Sequence, residues 1–260
     1  MILDEIVAHK REEVAVRKRE VPLSALEERM ALAAPPRDFR GALRASGISL
    51  IAEVKRASPS KGDILPGVDA VDIAAAYEQA GARAISVLTD HRFFKGSLDD
   101  LSSVHRAVAL PCLRKEFIVD PYQVYESRAA EADAILLIVR ILPDELLRDL
   151  YQLARTLRLA VLVETHSADE IERALKVGAH TIGINNRDLD TLAIDINTTL
   201  ELRKRVPGGN TLVSESGIHT RDQVRRLEDG GVDAILVGES ILTSGNPRAK
   251  IRQLLERDES

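Results

Sequence analysis

A chain of 260 residues, 45% hydrophobic and 30% charged, is long enough for one large domain with a fully buried sheet and too apolar for disorder. Its net charge of -5 and its 3% aromatic content exclude a basic, base-stacking surface for nucleic acid. The lone Cys112 excludes an internal disulfide, no apolar run approaches the roughly 18 residues of a membrane span, and MILDEIVAHKREE lacks the apolar core of a signal peptide; a cytoplasmic protein is expected.

In chain order, residues 1–48 read as a helical extension. Leu3, Ile6, Val7 and Val14 form a partial apolar stripe, and Glu13 with Arg17 are spaced i, i+4 on a wetter side. Arg11, Arg17, Lys18 and Arg19 are read as a solvated face rather than a membrane patch. Pro22 and Pro35-Pro36 break the segment into short pieces expected to cap one end of the main domain. From residue 49 to 260 one theme recurs: a β-branched apolar run, a polar loop and an amphipathic segment. The runs are Ser49 to Arg56, Ala84 to Asp90, Pro111 to Phe117, Ala134 to Arg140, Ala160 to His166, Thr181 to Arg187, Thr211 to Gly217 and Ala234 to Ser240. Nearly continuous apolarity, as in AILLIV and AVLV, marks strands buried on both faces, so a parallel sheet covered by helices is expected. Eight such units close a (β/α)8 TIM barrel. An open doubly wound sheet would want a Gly-rich fingerprint after its first strand, where this chain has Lys55-Arg56-Ala57-Ser58-Pro59. The long connection from Ala57 to Asp69 reads as a lid at the barrel mouth, with a plain surface insertion as the alternative.

Barrel enzymes build their sites at the C-terminal ends of the strands. Here those ends carry Glu53-Val54-Lys55, Arg114-Lys115-Glu116-Phe117, Glu164-Thr165-His166, Asn185-Asn186-Arg187 and Glu215-Ser216-Gly217. One such charge alone is usually a solvated flank; a ring of acids, ammonium groups and an amide on five strands is costly to keep for packing alone, because charges out of water need partners. Lys supplies only nine of the 36 cationic residues yet holds both strand-end positions 55 and 115. Unlike Arg, Lys can release its proton in a tuned site, which points to proton transfer. Ser216-Gly217 and Gly238-Glu239 place backbone N–H groups where barrels bind phosphate, so a phosphorylated small molecule is the expected partner. The six His show no metal spacing, and neither a Walker motif nor GxGxxG is present; no metal and no cofactor are expected. His166 is read as a hydrogen bonder at the rim.

These same residues resemble the indole-3-glycerol phosphate synthases of tryptophan biosynthesis. The resemblance runs in order through ILDEIVAHKREEV, AEVKRASPSKG, VLTDHRFFKGSLDDL, LRKEFIVDPYQVYESR, LLIV, LVETH, IGINNRDL, SESGI and LVGES, nearly the whole chain. It implies ring closure, decarboxylation and dehydration of 1-(2-carboxyphenylamino)-1-deoxyribulose 5-phosphate without a cofactor. By resemblance Lys115 is the acid for ring closure. Lys55 neutralises the substrate carboxylate or serves as the later acid, and Glu53 takes the last proton. Glu164 stabilises the developing cation or acts as a base, while Asn185 and Glu215 orient the hydroxyls and lysines. The resemblance puts Ser58, Ser216, Gly217, Gly238 and Glu239 near the phosphate and Arg187 at the substrate. Phe94, Phe117 and Leu136 are expected to wall the aromatic ring. Thr165, Ser167 and Leu192 depart from the family's pattern. Rival readings are a sister isomerase of the pathway, a Schiff-base aldolase on Lys115, and a silent scaffold.

Overall fold

The computed structural model describes residues 2–58, 62–63, 69–189 and 191–255. Its eight main strands are β1 (Ser49–Val54), β2 (Ala84–Leu88), β3 (Cys112–Lys115), β4 (Ala134–Ile138), β5 (Ala160–Thr165), β6 (Thr181–Asn185), β7 (Thr211–Glu215) and β8 (Ala234–Val237). Each pairs in parallel with the next, and β8 returns to β1 in the register Ser49↔Ala234, closing the (β/α)8 TIM barrel expected from the sequence. The strands are shorter than the apolar runs that announced them, because the end of each run leaves the sheet for a loop or, after β4 and β8, for a helical turn.

The helices are α1 (Ile2–Glu20), α2 (Leu23–Leu32), α3 (Phe39–Leu43), α4 (Ala70–Ala80), α5 (His91–Phe94), α6 (Leu98–Ala107), α7 (Pro121–Ala129), α8 (Asp144–Thr156), α9 (Ala168–Lys176), α10 (Asn197–Leu202), α11 (Arg221–Asp229), α12 (Glu239–Leu242) and α13 (Pro247–Leu255). Local chemistry sets their ends. Asp69 accepts a hydrogen bond from the Val71 amide to start α4, and Gly81, at φ 99°, ends it in a left-handed conformation that a side chain would resist. Among the described residues no helix is long and apolar enough to cross a membrane.

Alternation along each strand sorts the side chains. Leu50, Ala52 and Val54 face outward beneath the helices, whereas Ile51, Leu113, Leu136, Leu162, Val213 and Leu236 fill the barrel interior. Phe39 and Leu43 of α3, both fully buried, close that interior from the N-terminal end. Arg40 fixes the plug by donating to the Gly209 carbonyl and Thr211 Oγ1 at the foot of β7.

The N-terminal segment also reaches the opposite end of the barrel. Lys10 of α1, fully buried, places Nζ 2.8 Å from Glu13 and from Asp90 just past β2, and 3.1 Å from Glu116 just past β3. Arg114, on the outward face of β3 and equally buried, donates to Thr89 Oγ1, the Gln123 carbonyl, Ser127 Oγ and Glu126. Arg17 corrects the expectation of a solvated basic face: its guanidinium pairs with Glu13 at 2.8 Å and with Glu126 of α7 at 3.3 Å. The long connection after β1 forms a short antiparallel pairing of Ala57–Ser58 with Gly62–Asp63. The rest of the expected lid lies outside the described residues.

Candidate active site

Towards the C-terminal mouth the inward-facing positions change from apolar to polar, one residue pair beyond the packed interior. Ile51 is followed inward by Glu53, Leu113 by Lys115, Leu162 by Glu164, Gly183 by Asn185 and Val213 by Glu215. A strand pitch of two residues therefore aims groups from five different strands at one point. Lys115 Nζ lies 3.0 Å from Glu164 Oε2 and 3.5 Å from Glu215 Oε2. Lys55 Nζ lies 3.1 Å from Glu53 Oε1. Asn185 is held by the Arg187 backbone N–H, which donates to its Oδ1 at 3.0 Å, so its Nδ2 donates to Glu164 Oε1 at 3.2 Å.

Burial and charge divide these groups. Burial opposes the charge on Lys115, but Glu164, Glu215 and Glu53 together outweigh it and hold the ammonium group well above the usual lysine range. Glu164 is likewise opposed by burial, yet Lys115, His166 and the Asn185 hydrogen bond keep its carboxyl well below the usual carboxylate range. Glu215 goes the other way: burial, reinforced by the charges of Glu164 and Glu53, raises it despite Lys115. Two carboxylates on one lysine cannot both be ionised cheaply, so their environments push them apart.

Backbone approach is equally specific. A Cβ on Gly183 would meet Glu215 Oε1 at 2.2 Å, and one on Gly238 would meet Glu53 Oε1 at 2.6 Å. Both glycines make room for a carboxylate. Ser216 and Gly217 are successive left-handed residues, at φ 67° and 77°. The methyl group of Ile194 packs over Gly217, where a Cβ would lie 2.3 Å from it. Ser240 Oγ donates to the Ile218 carbonyl at 2.8 Å and ties α12 to the loop after β7.

One cavity is lined by Glu53, Lys55, Lys115, Arg187, Glu215, Ser216, Gly217, Gly238 and Glu239, with Glu164 and Asn185 joined to it through Lys115. Phe94 and Phe117 stand near one another, with ring centroids 6.1 Å apart, and Phe117 packs on the interior cluster that contains Leu136. Leu136 pairs with Leu162, a layer below the carboxylate; level with Glu164 stands Ile138. The backbone of Ser58 lies in the short pairing after β1, and the contact expected of its side chain lies outside the described residues. His166 and Glu170, which the motifs did not assign to the centre, also reach it: His166 Nε2 is 3.4 Å from Glu164 Oε1 and Nδ1 is 3.2 Å from Glu170 Oε2. The signal available in the sequence was Glu170 four residues after His166, just inside a Ser-capped helix.

Fold and site together define the class: a (β/α)8 barrel enzyme with its polar centre inside the C-terminal mouth. A family model described as indole-3-glycerol phosphate synthase matches residues 3–254. The chain is 49% identical over 259 residues to the indole-3-glycerol phosphate synthase of Dehalococcoides mccartyi, covering 98% of this chain and 100% of that one. To that of Roseiflexus castenholzii it is 48% identical over 262 residues, covering 97% of each. Among solved structures, a mutant tryptophan synthase alpha-subunit from Pyrococcus furiosus superposes with a TM-score of 0.63 at 15% identity, over 80% of this chain and 98% of that one, a likeness of fold alone. The chain belongs to the indole-3-glycerol phosphate synthase family.

Proposed function

We propose that the chain converts 1-(2-carboxyphenylamino)-1-deoxyribulose 5-phosphate to indole-3-glycerol phosphate, with loss of carbon dioxide and water. The observation that carries the residue assignment is Lys115, a proton-bearing group held between Glu164 and Glu215 in the wall of the cavity.

Lys115 donates a proton to the substrate carbonyl oxygen as the ring carbon bearing the carboxylate attacks the carbonyl carbon. The new carbon–carbon bond leaves the ring cationic, and departing carbon dioxide returns its bonding pair to the ring. Dehydration then needs a second proton on the new hydroxyl and a base for the neighbouring C–H. Lys55 and Glu53, paired at 3.1 Å on one strand face, fit those two tasks. Two protons are given and one is taken back, so each turnover takes up one proton net. Glu164 faces the developing cation, and Asn185 fixes its carboxylate plane.

The charges of Glu164, Glu215 and Glu53, which hold Lys115 above the usual lysine range, oppose release of its proton. Substrate settling between Lys115 and Glu164 would lengthen their 3.0 Å contact and bring the acid into a working range. Ser216, Gly217, Gly238 and the Glu239 amide suit the 5-phosphate, with Arg187 beside them, and Phe94, Phe117 and Ile138 offer an apolar wall for the aromatic ring. The net charge and lone buried cysteine suit a reducing cytoplasm as the place of this chemistry.

The test is turnover of that substrate by the purified chain, with indole fluorescence and carbon dioxide appearing in equal amounts. The same chain given the substrate lacking its 5-phosphate should show a sharply raised KM. Absence of fluorescent product from the phosphorylated substrate would overturn the assignment.

A further inference from the structure

We infer that His166 is a positioning residue: clamped between the carboxylates of Glu170 and Glu164, it holds the Glu164 carboxylate ionised and aimed at Lys115. The inference rests on the charge-stabilising role proposed for Glu164 and adds to it the groups that make Glu164 what that role requires.

The local sequence builds the clamp. At the end of β5 the chain turns through His166 into α9, whose cap Ser167 accepts from the Glu170 amide at 3.2 Å. Glu170, in the first turn, accepts the His166 backbone N–H at 2.7 Å, and the same Oε2 lies 3.2 Å from His166 Nδ1. The ring is thereby fixed with its other nitrogen, Nε2, beside Glu164 Oε1 at 3.4 Å, an ion-pair distance rather than a hydrogen bond. Nε2 is buried and has no hydrogen-bond partner among the described residues.

Chemistry then decides the ring's charge. An ionised carboxylate only accepts hydrogen bonds, and a neutral imidazole carries a proton on one nitrogen alone. With a carboxylate beside each nitrogen, a neutral ring would set a lone pair against one of them; the imidazolium hydrogen-bonds Glu170 through Nδ1 and meets Glu164 by charge at 3.4 Å. The side chain is 6% exposed, so a cation here depends on those partners. Burial opposes the charge, but the Glu170 hydrogen bond and the charges of Glu164, Glu170 and Glu215 outweigh it and raise His166 above the usual histidine range. The groups facing the ring are thus Glu164 on β5, Glu170 on α9 and Glu215 on β7, with Lys115 of β3 beyond Glu164.

Glu164 is held at both oxygens, Oε2 by Lys115 and Oε1 by Asn185 and His166. When Lys115 gives up its proton, Glu164 loses its nearest cation. The imidazolium remains, so the carboxylate stays ionised through the step in which positive charge develops on the ring. His166 does this without lining the substrate cavity.

The test compares His166→Asn, which removes the cation while leaving an amide on the Glu170 side, with Glu170→Gln, which loosens the clamp without touching Glu164. For each variant kcat and KM are followed against pH, and Tm is measured alongside. The sign follows from charge: without the imidazolium Glu164 binds its proton more tightly, so activity is lost at a higher pH as acid is added. H166N is expected to move the acid limb of kcat up by about one pH unit and, because the carboxylate also loses the group that aims it, to lower kcat near neutrality by about 10-fold, with KM within about twofold. E170Q is expected to shift in the same direction by less, and the double variant to be no worse than H166N. An unmoved acid limb, or a change confined to Tm or KM, overturns the inference. Glu164→Gln in the same assay separates the two readings. A severely impaired E164Q beside a wild-type H166N profile overturns the role of His166 alone, whereas an active E164Q overturns the role of Glu164 and this inference with it.

Discussion

Gly183→Ala separates the geometry of the site from the stability of the barrel. Gly183 faces inward on β6, and an added Cβ would lie 2.2 Å from Glu215 Oε1 and 3.3 Å from Leu162 Cδ1. Ordinary carbon–oxygen contact begins near ~3.4 Å, so the carboxylate must withdraw by about 1.2 Å while Leu162 scarcely moves. Glu215 Oε2 stands 3.5 Å from Lys115, and a shift of that size breaks the pair. Misplacement of about 1 Å in a catalytic constellation costs on the order of 100-fold, and kcat/KM is expected to fall by about that factor. Stability should change little. The displaced atom is the tip of a side chain, so overpacking falls near the low end of about 1–3 kcal/mol, and replacing a strand glycine returns about 0.5–1 kcal/mol. Initial rates by indole fluorescence, together with urea unfolding, measure both quantities. A variant within about threefold of wild-type kcat/KM, or one whose loss of activity tracks its loss of stability, would refute the role given to Glu215 and to the glycine that makes room for it.

Lys10→Met tests the buried charges that join α1 to β2 and β3. It takes the Lys10 cation from buried Asp90 and leaves buried Glu116 with Arg114 alone at 3.6 Å, and unfolding free energy should drop by about 3–5 kcal/mol in chemical denaturation; a drop under about 1 kcal/mol would contradict the network. Gly217→Ala places a Cβ 2.3 Å from Ile194 at φ 77°, and is expected to raise KM by about tenfold with kcat nearly unchanged. A kcat loss at constant KM would move Gly217 from phosphate binding to the chemistry.

The barrel was legible because its signal is local and repeated: an apolar run followed by a polar loop, eight times over. The grouping of the candidate site was legible for a related reason. Residues two apart share a strand face, so Glu53 with Lys55 could be placed together before any contact was known. Features that depend on distant partners were not legible. Lys10 reads as one more polar residue on a helix with an incomplete apolar stripe, and its carboxylates, Asp90 and Glu116, lie far along the chain. Arg114 precedes Lys115 and looks equivalent to it, yet the strand turns one outward into a buried polar cluster and the other inward to the cavity. In AILLIV every residue is apolar, so nothing in the pattern tells Leu136, in the packed layer, from Ile138 beside Glu164. The demand for glycine at 183 and 238 comes from carboxylates on neighbouring strands, which sequence spacing does not report.

The central claim is that Lys115 supplies the proton for ring closure. Its most direct measurement is the rate of indole fluorescence and carbon dioxide release by wild type, Lys115→Ala and Lys115→Arg at saturating substrate, with folding checked by unfolding curves. Arg keeps the charge but does not release its proton, so both variants should remain folded and bind substrate while turnover falls by at least about 1,000-fold. Near-normal turnover in either one would contradict the account.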